Sequence, residues 1–233
     1  MKQLLWVAVV VLIFSCTKTP AQVTASKTSF ESEGGDEEMS YAFGMIMASD
    51  FEELTLAFDY AAFAKGFKEQ IEGNTTMTFD EALGIAQNAY SEAISVKNEN
   101  TRQDGIAFLK ENSTKEGVTV TESGLQYEVI SEGSGRKPFP SETVRVHYEG
   151  TLIDGTPFDN SYGNGEPVEF SLDTIIPGWN EGLQLMNEGA TYRFYIPSEL
   201  AYGETGAGQG RIPPNSVLIF KIELLSIKPA LPE

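Results

Sequence analysis

Past Asn112 the apolar residues of this chain stop recurring every three or four places and begin to alternate, and that change of period limits the fold more than any other feature. Leu125-Tyr127-Val129, Val144-Val146-Tyr148, Val168-Phe170-Leu172, Tyr192-Phe194-Ile196 and Leu218-Phe220-Ile222-Leu224 each put an apolar side chain at every second position. Successive side chains of a strand point to opposite faces, so the pattern predicts five strands with one buried face. The connections are rich in Gly, Pro and Asn, Asp154-Gly155 among them, and none is long enough for a series of parallel crossovers, so the sheet is expected to be antiparallel. One short helix interrupts it: Pro177 opens the segment, Trp179, Leu183 and Met186 follow at i, i+4 and i+7, and Gly189 closes it. A curved sheet folded over one short helix leaves a concave end where inward aromatics meet loop residues, and that end is the candidate site.

Before Asn112 the period is helical. Met39, Phe43, Ile46 and Met47 predict one amphipathic helix over Met39 to Leu56, and Phe63, Phe67 and Ile71 predict a second. Thr78-Phe-Asp-Glu81 matches a capping box, with Thr78 as N-cap, and opens a third pattern through Leu83, Ala86, Tyr90 and Ile94. Between Ser95 and Gly105 the apolar face disappears, yet nothing breaks the helix before Gly105, itself a weak breaker. A solvated strut is expected there, spanning roughly 50 Å if it runs from Phe79 to Glu111. Three such helices make a modest core, so burying their stripes against a second copy is the simplest solution, and a homodimer is expected. The alternative is a monomeric helical cap on the second domain.

The first residues read as an address. Lys2 precedes an uncharged run from Leu4 to Phe14, and Ser15 and Cys16 follow, the basic, apolar, small-residue order of an export signal. The run offers roughly half of the about 20 residues that a spanning helix needs. A cysteine in that position resembles the signal of a bacterial lipoprotein, cut before Cys16 and acylated there; an ordinary cleaved signal or an uncleaved anchor is the alternative. Thr17 to Glu38, rich in Thr, Ser, Glu and Gly, reads as a flexible tether. The expected divisions are residues 1–15 as signal, 16–38 as tether, 39–112 as helical region and 113–233 as the β-rich domain. Lys plus Arg total 16 against 34 Asp plus Glu, a net charge of -18 that opposes broad contact with nucleic acid or anionic lipid, leaving a lipid anchor as the expected membrane attachment. One Cys and one His, His147, exclude an intrachain disulfide and the usual zinc and copper ligand sets, and neither a metal nor another cofactor is expected.

Val-His-Tyr148-Glu-Gly, Asp154-Gly-Thr-Pro-Phe158-Asp159-Asn-Ser, Ile175-Ile176-Pro-Gly-Trp179, Leu200-Ala-Tyr202-Gly and Ile212-Pro-Pro-Asn, in that order, resemble the FKBP-type peptidyl-prolyl cis-trans isomerases. The likeness covers roughly Gly117 to Ile227. Pro167-Val-Glu-Phe, Gly182-Leu-Gln-Leu-Met and, at the join, Gly124-Leu-Gln-Tyr127 look most like the macrophage infectivity potentiator branch, as does Met39-Ser-Tyr-Ala-Phe-Gly in the helical half. The resemblance implies an α+β fold: an all-α dimerisation domain with a long connecting helix, then an antiparallel sheet wrapped on one short helix. It implies that Tyr148, Phe158, Asp159, Ile176, Trp179, Tyr202 and Phe220 act on the substrate proline, with Trp179 as floor and Asp159 as the one buried polar group. Val168, Phe170, Ile175 and Ile212 complete the binding wall. By the same likeness the Ile176 N-H and the Tyr202 hydroxyl bond carbonyls of the ligand. Val168 stands where many relatives have phenylalanine, Asn164 replaces an arginine that often partners the aspartate, and Gly206 to Gly210 replaces a bulkier loop. These departures favour catalysis ahead of tight binding of macrolide ligands.

The chemistry agrees with so unreactive a set of side chains. Rotation about an X-Pro amide faces a barrier of about 18 to 20 kcal/mol from C-N double-bond character, and no bond breaks. A nucleophile, metal or proton relay is unnecessary. The partners implied are proline-containing unfolded or nascent exported polypeptides in the bacterial periplasm, met by an enzyme anchored to a membrane, the outer one by resemblance, with chaperone activity beside catalysis. The alternative is a non-catalytic chaperone or binding lipoprotein using the same cleft. His147 neighbours Tyr148 on a strand and so points to the opposite face, as a structural residue. Gly206-Ala-Gly208-Gln-Gly210 superficially matches a dinucleotide loop, but Arg211 stands where a third glycine belongs, and the stretch reads as a flexible loop.

Overall fold

The computed structural model describes residues 35–49, 51–52, 54 and 56–228. The expected export signal, Cys16 and the expected tether up to residue 34 lie outside the described residues. The chain divides into two units, Met1–Asp50 and Phe51–Glu233.

The described part of the first unit is one helix, α1 (Gly35–Ser49). It starts inside the segment expected as tether, because Asp36, Glu37 and Glu38 occupy its first turn, where carboxylates meet the positive end of the helix dipole. It ends at Ser49, short of the expected Leu56. Met39, Tyr41, Phe43 and Ile46 are all exposed.

The second unit opens with α2 (Tyr60–Glu72) and α3 (Phe79–Asn112). Asp59 caps α2, accepting from the N-H groups of Ala61 and Ala62 at 2.9 and 3.0 Å, and Gly73 ends it at φ 72. No residue of α2 is buried. The capping box at Thr78 forms as expected: the Thr78 N-H donates to Glu81 Oε2 at 2.8 Å and the Glu81 N-H to Thr78 Oγ1 at 3.3 Å. α3 then runs for 34 residues, about 51 Å at about 1.5 Å per residue.

The expectation of a solvated strut fails in the C-terminal half of α3. Asn98, Thr101, Gly105, Phe108, Leu109 and Asn112 recur at three- and four-residue spacings and, with Lys97, are its buried or half-buried residues there. The Asn215 side-chain amide donates to the Asn98 carbonyl at 3.2 Å, and the Phe108 ring lies 5.9 Å from that of Tyr195. Gln126 Nε2 donates to the Leu109 carbonyl at 2.9 Å while its Oε1 accepts from Asn112 Nδ2 at 3.0 Å. Gly105 is buried; a Cβ there would stand 2.9 Å from Val217 Cγ2, so the helix approaches this closely because the residue has none. From Asn98 to Gly105 this face is an amide, a hydroxyl and a glycine, which carry almost no apolar signal, so hydropathy reads that stretch as solvated; Phe108 and Leu109 come only after it.

Seven strands follow rather than five: β1 (Val118–Val120), β2 (Gln126–Ser131), β3 (Thr143–Thr151), β4 (Pro157–Asn160), β5 (Val168–Ser171), β6 (Thr191–Ile196) and β7 (Leu218–Lys228). The order is β1-β2-β6-β7-β3-β4 with β5 on β3, and every pairing is antiparallel, as expected. β1 is only three residues long, β4 has Phe158 as its one large apolar residue, and Leu172 falls in a 3-10 turn after β5. Along β3, Val144, Val146 and Tyr148 are buried and Arg145, His147 and Glu149 take the other face. Between β5 and β6 lies α4 (Pro177–Leu185), with Pro177 in its first turn. Met186 is already extended, so the helix stops before the expected Gly189, yet Met186 is fully buried with Trp179 and Leu183. Gly182 brings α4 onto the sheet, since a Cβ there would lie 2.7 Å from the Phe194 ring.

Candidate functional site

The first turn of α4 carries Trp179, whose indole is buried among the aromatic rings of the sheet. The Trp179 N-H donates to the Ile176 carbonyl at 3.0 Å, which sets the turn. Three rings meet the indole edge-on: Tyr148 from β3 at 5.2 Å and 82°, Phe170 from β5 at 5.2 Å and 79°, and Phe220 from β7 at 5.1 Å and 84°. Phe158 from β4 closes on Phe220 at 5.3 Å and 86°. Perpendicular contacts of this kind put a positive ring edge on a negative face and hold each ring in one orientation.

Gly150 makes that approach possible and was not among the candidates. It pairs with Phe220 across β3 and β7, and a Cβ there would stand 2.7 Å from the Phe158 ring and 2.8 Å from Phe220. The available signal was a glycine inside an otherwise alternating strand, which marks a close approach of other groups.

Exposure grades outward from the indole. Trp179, Phe220, Phe158, Tyr148 and Ile212 are buried; Val168, Phe170, Ile175 and Ile176 are half-buried; Tyr202 is 39% exposed. All of these candidates but Tyr202 belong to one core cluster or pack against it. Asp159 corrects the expectation of a buried polar group: it is an exposed residue on the outermost strand β4, held over the site by the Tyr148 hydroxyl, which donates to its Oδ2 at 2.8 Å. Burial, and then the bond to Asp159, push the Tyr148 hydroxyl well above its ordinary range. Burial, and then the negative charge of Asp159, raise Tyr202 as well. Both tyrosines therefore keep their protons at neutral pH and act as donors.

Three donors at the site lack an acceptor among the described residues. The buried Trp179 Nε1 has no partner. The Ile176 N-H precedes the first turn of α4, where helix geometry leaves such groups unpaired. The Tyr202 hydroxyl is the third. An apolar ring laid against the indole would find carbonyl-binding groups on its border and almost no charge beneath it.

The segment Gly206 to Gly210 is not an open loop. Ala207 and Ile212 form a bridge with two backbone hydrogen bonds of 2.9 and 3.1 Å, and Gly206 sits at φ 65 where a Cβ would come within 2.3 Å of the Ile212 carbonyl. Arg211 fastens this lip to β4: its Nη1 donates to the Phe158 carbonyl at 3.3 Å and its Nε to the Gly208 carbonyl at 3.3 Å. An arginine thus reaches the strand of Asp159 from the lip; the Asn164 side chain lies outside the described residues. His147, as expected, is on the far face, stacked on Tyr162 at 4.5 Å with Nδ1 2.9 Å from Ser161 Oγ. Ser161 Oγ also accepts from the Tyr148 N-H at 2.9 Å, so this cluster braces the back of the strand that carries Tyr148.

Residues 134–225 match the family described as FKBP-type peptidyl-prolyl cis-trans isomerase, and residues 36–129 match the domain amino terminal to it. The chain is 42% identical over 229 residues to the FKBP-type peptidyl-prolyl cis-trans isomerase FkpA of Aeromonas hydrophila, covering 91% of this chain and 84% of that one. It is 35% identical over 226 residues to the outer membrane protein MIP of Legionella longbeachae, covering 94% and 96%. The crystal structure of FkpA from Escherichia coli superimposes with a TM-score of 0.69 at 34% identity, over 84% of this chain and 98% of that chain.

Proposed function

Because this chain belongs to the family of FKBP-type peptidyl-prolyl cis-trans isomerases, we propose that the aromatic notch around Trp179 is where a proline of an exported polypeptide is seated and turned. The enzyme accelerates rotation about X-Pro bonds; the assignment of its residues rests on geometry. Trp179 is the floor, Tyr148, Phe158, Phe170 and Phe220 are the walls, and Val168, Ile175 and Ile212 extend the apolar lining. The Ile176 N-H and the Tyr202 hydroxyl hold the carbonyls on either side of the proline.

The planar amide is more dipolar than the twisted one. Moving it from water into a site lined by hydrocarbon therefore raises the planar ground state more than the twisted transition state. Each 1.36 kcal/mol gained this way is about tenfold in rate. Donors fixed at the border add to it by favouring the geometry in which the amide nitrogen has lost its conjugation. The observation that carries the reading is the set of three perpendicular rings about one buried indole whose N-H has no partner.

The remaining features support an anchored, paired enzyme. Exposed Met39, Phe43 and Ile46 on α1, and exposed Phe63, Phe67 and Ile71 on α2, support a homodimer formed through the N-terminal helices. The signal-like first residues, Cys16 at their end and the name of the Legionella relative support export, acylation and residence at the outer membrane. Two notches joined through one dimer would hold a single client by avidity, which is how chaperone activity would arise.

Isomerisation of a proline tetrapeptide by the soluble body, residues 17–233, tests the reading. A rate well above background that falls at least tenfold in Trp179→Leu supports it. A rate at background in the folded protein overturns it.

A further inference from the structure

A cavity of about 240 Å³ is lined by α3, by the turn between β3 and β4 and by the segment leading into β7. We propose that it is an exosite for the client chain, taking a lysine or arginine together with an adjacent apolar side chain a few residues from the proline; this rests on the isomerase reading above. One wall is α3, with Asp104. The turn between β3 and β4 contributes Leu152, Ile153 and Asp154, and the segment from the lip to β7 contributes Pro213, Ser216 and Val217.

The chemistry of the walls names the occupant. Leu152, Ile153, Pro213 and Val217 make the apolar part of the lining, Asp104 and Asp154 bring two carboxylates from different elements, and Thr101 and Ser216 add two hydroxyls. Asp104 has no hydrogen bond or ion pair among the described residues. Asp154 accepts from the Thr156 N-H at 2.8 Å, and that bond holds its carboxyl below the usual range, so it is ionised at neutral pH. The basic residue just before Asp104 on the helix, Arg102, is already taken by both oxygens of Glu99, at 2.9 and 2.7 Å. No cation of the described residues pairs with either carboxylate, and a long aliphatic stem ending in a cation, lying beside an apolar neighbour, complements both the apolar lining and the carboxylates.

Position says which molecule brings it. Ile212 of the notch and Pro213 of the cavity lining are consecutive, their Cα atoms about 3.8 Å apart. The turn between β3 and β4 leads directly into Phe158. A polypeptide with its proline on Trp179 can therefore lay its continuation into the cavity. The helix wall exists because Gly105 lets α3 come down onto Val217, so the linker contributes to substrate selection as well as spacing.

The test uses residues 17–233 with two substrates sharing one X-Pro sequence. A tetrapeptide fills the notch alone; 12-residue peptides carry Lys-Leu, Glu-Leu or Lys-Ser three to eight residues from the proline. At one spacing the Lys-Leu peptide should show at least fivefold higher kcat/KM than either other peptide. That gain should vanish in Asp104→Asn/Asp154→Asn, whose rate on the tetrapeptide is unchanged. Equal turnover of the three long peptides, or a gain that survives the double substitution, overturns the exosite while leaving the isomerase intact. If the tetrapeptide itself is not turned over, the isomerase reading fails instead. The exosite is then decided by fluorescence anisotropy of the labelled Lys-Leu peptide: binding weakened at least fivefold in the double variant supports it, and binding unchanged overturns it.

Discussion

The Tyr148 hydroxyl donates to Asp159 Oδ2 at 2.8 Å, and through this bond the exposed carboxylate of an edge strand is fixed over an apolar notch. Each partner constrains the other: burial and Asp159 keep the proton on Tyr148, and the hydroxyl orients the carboxylate. Tyr148→Phe and Asp159→Asn should each lower kcat/KM for a proline tetrapeptide about tenfold, or about 1.4 kcal/mol. Because they act through one contact, the double variant should lose little more than the worse single one. Fully additive losses in that cycle would show two independent roles.

Gly105 places α3 against the domain. Gly105→Ala raises helix propensity by about 1 kcal/mol, but its Cβ would meet the stiff Val217 side chain at 2.9 Å. The expected net result is faster amide exchange over Asn98 to Asn112. Adding Val217→Ala should restore protection by removing the clashing methyl. Exchange that stays at the wild-type rate in Gly105→Ala would mean that the helix tolerates the displacement.

Pairing through the N-terminal helices is decided by light scattering. Residues 17–233 should scatter as a dimer, and Ile46→Asp with Phe63→Asp should give a monomer whose tetrapeptide turnover is unchanged. A wild-type protein that already scatters as a monomer removes the basis for avidity.

A pH dependence follows from the Arg136 guanidinium, which donates to both oxygens of Glu142 at 2.6 and 2.7 Å while the Phe139 N-H adds a bond of 2.8 Å. The arginine first, and that N-H second, hold the Glu142 carboxyl below the usual range in the folded state. A depressed carboxylate stabilises the fold above its unfolded pKa of about 4.3, and the contribution is lost as pH falls through the folded value. Glu142→Gln should therefore lower Tm at pH 7, with the difference from wild type shrinking toward pH 3. A constant difference across that range would assign the loss to packing.

Much of this fold is legible in the sequence. Alternation at Val144-Val146-Tyr148 and at Leu218-Phe220-Ile222-Leu224 identified buried faces, because a strand's facing repeats every two residues and needs no distant partner to show it. Thr78 and Glu81 announced the start of α3 for a similar reason: a cap is satisfied within three residues. β1, of three residues, is too short to show alternation, and β4 shows none because Phe158 is its one large apolar residue. The burial that the resemblance implies for Asp159 is not realised, because its exposure follows from the place of β4 at the edge of the sheet.

What the chain determined by itself was therefore the kind, order and inward face of its longer elements, all written in spacings of two to four residues. What only the tertiary structure decided was which polar and small groups meet. Asn98 finds Asn215, Gly105 finds Val217, and Gly150 makes room for Phe158 and Phe220. Contacts of amides and glycines leave no hydrophobic period, and the groups that satisfy them arrive from distant parts of the chain; only closure of the sheet brings them to one place.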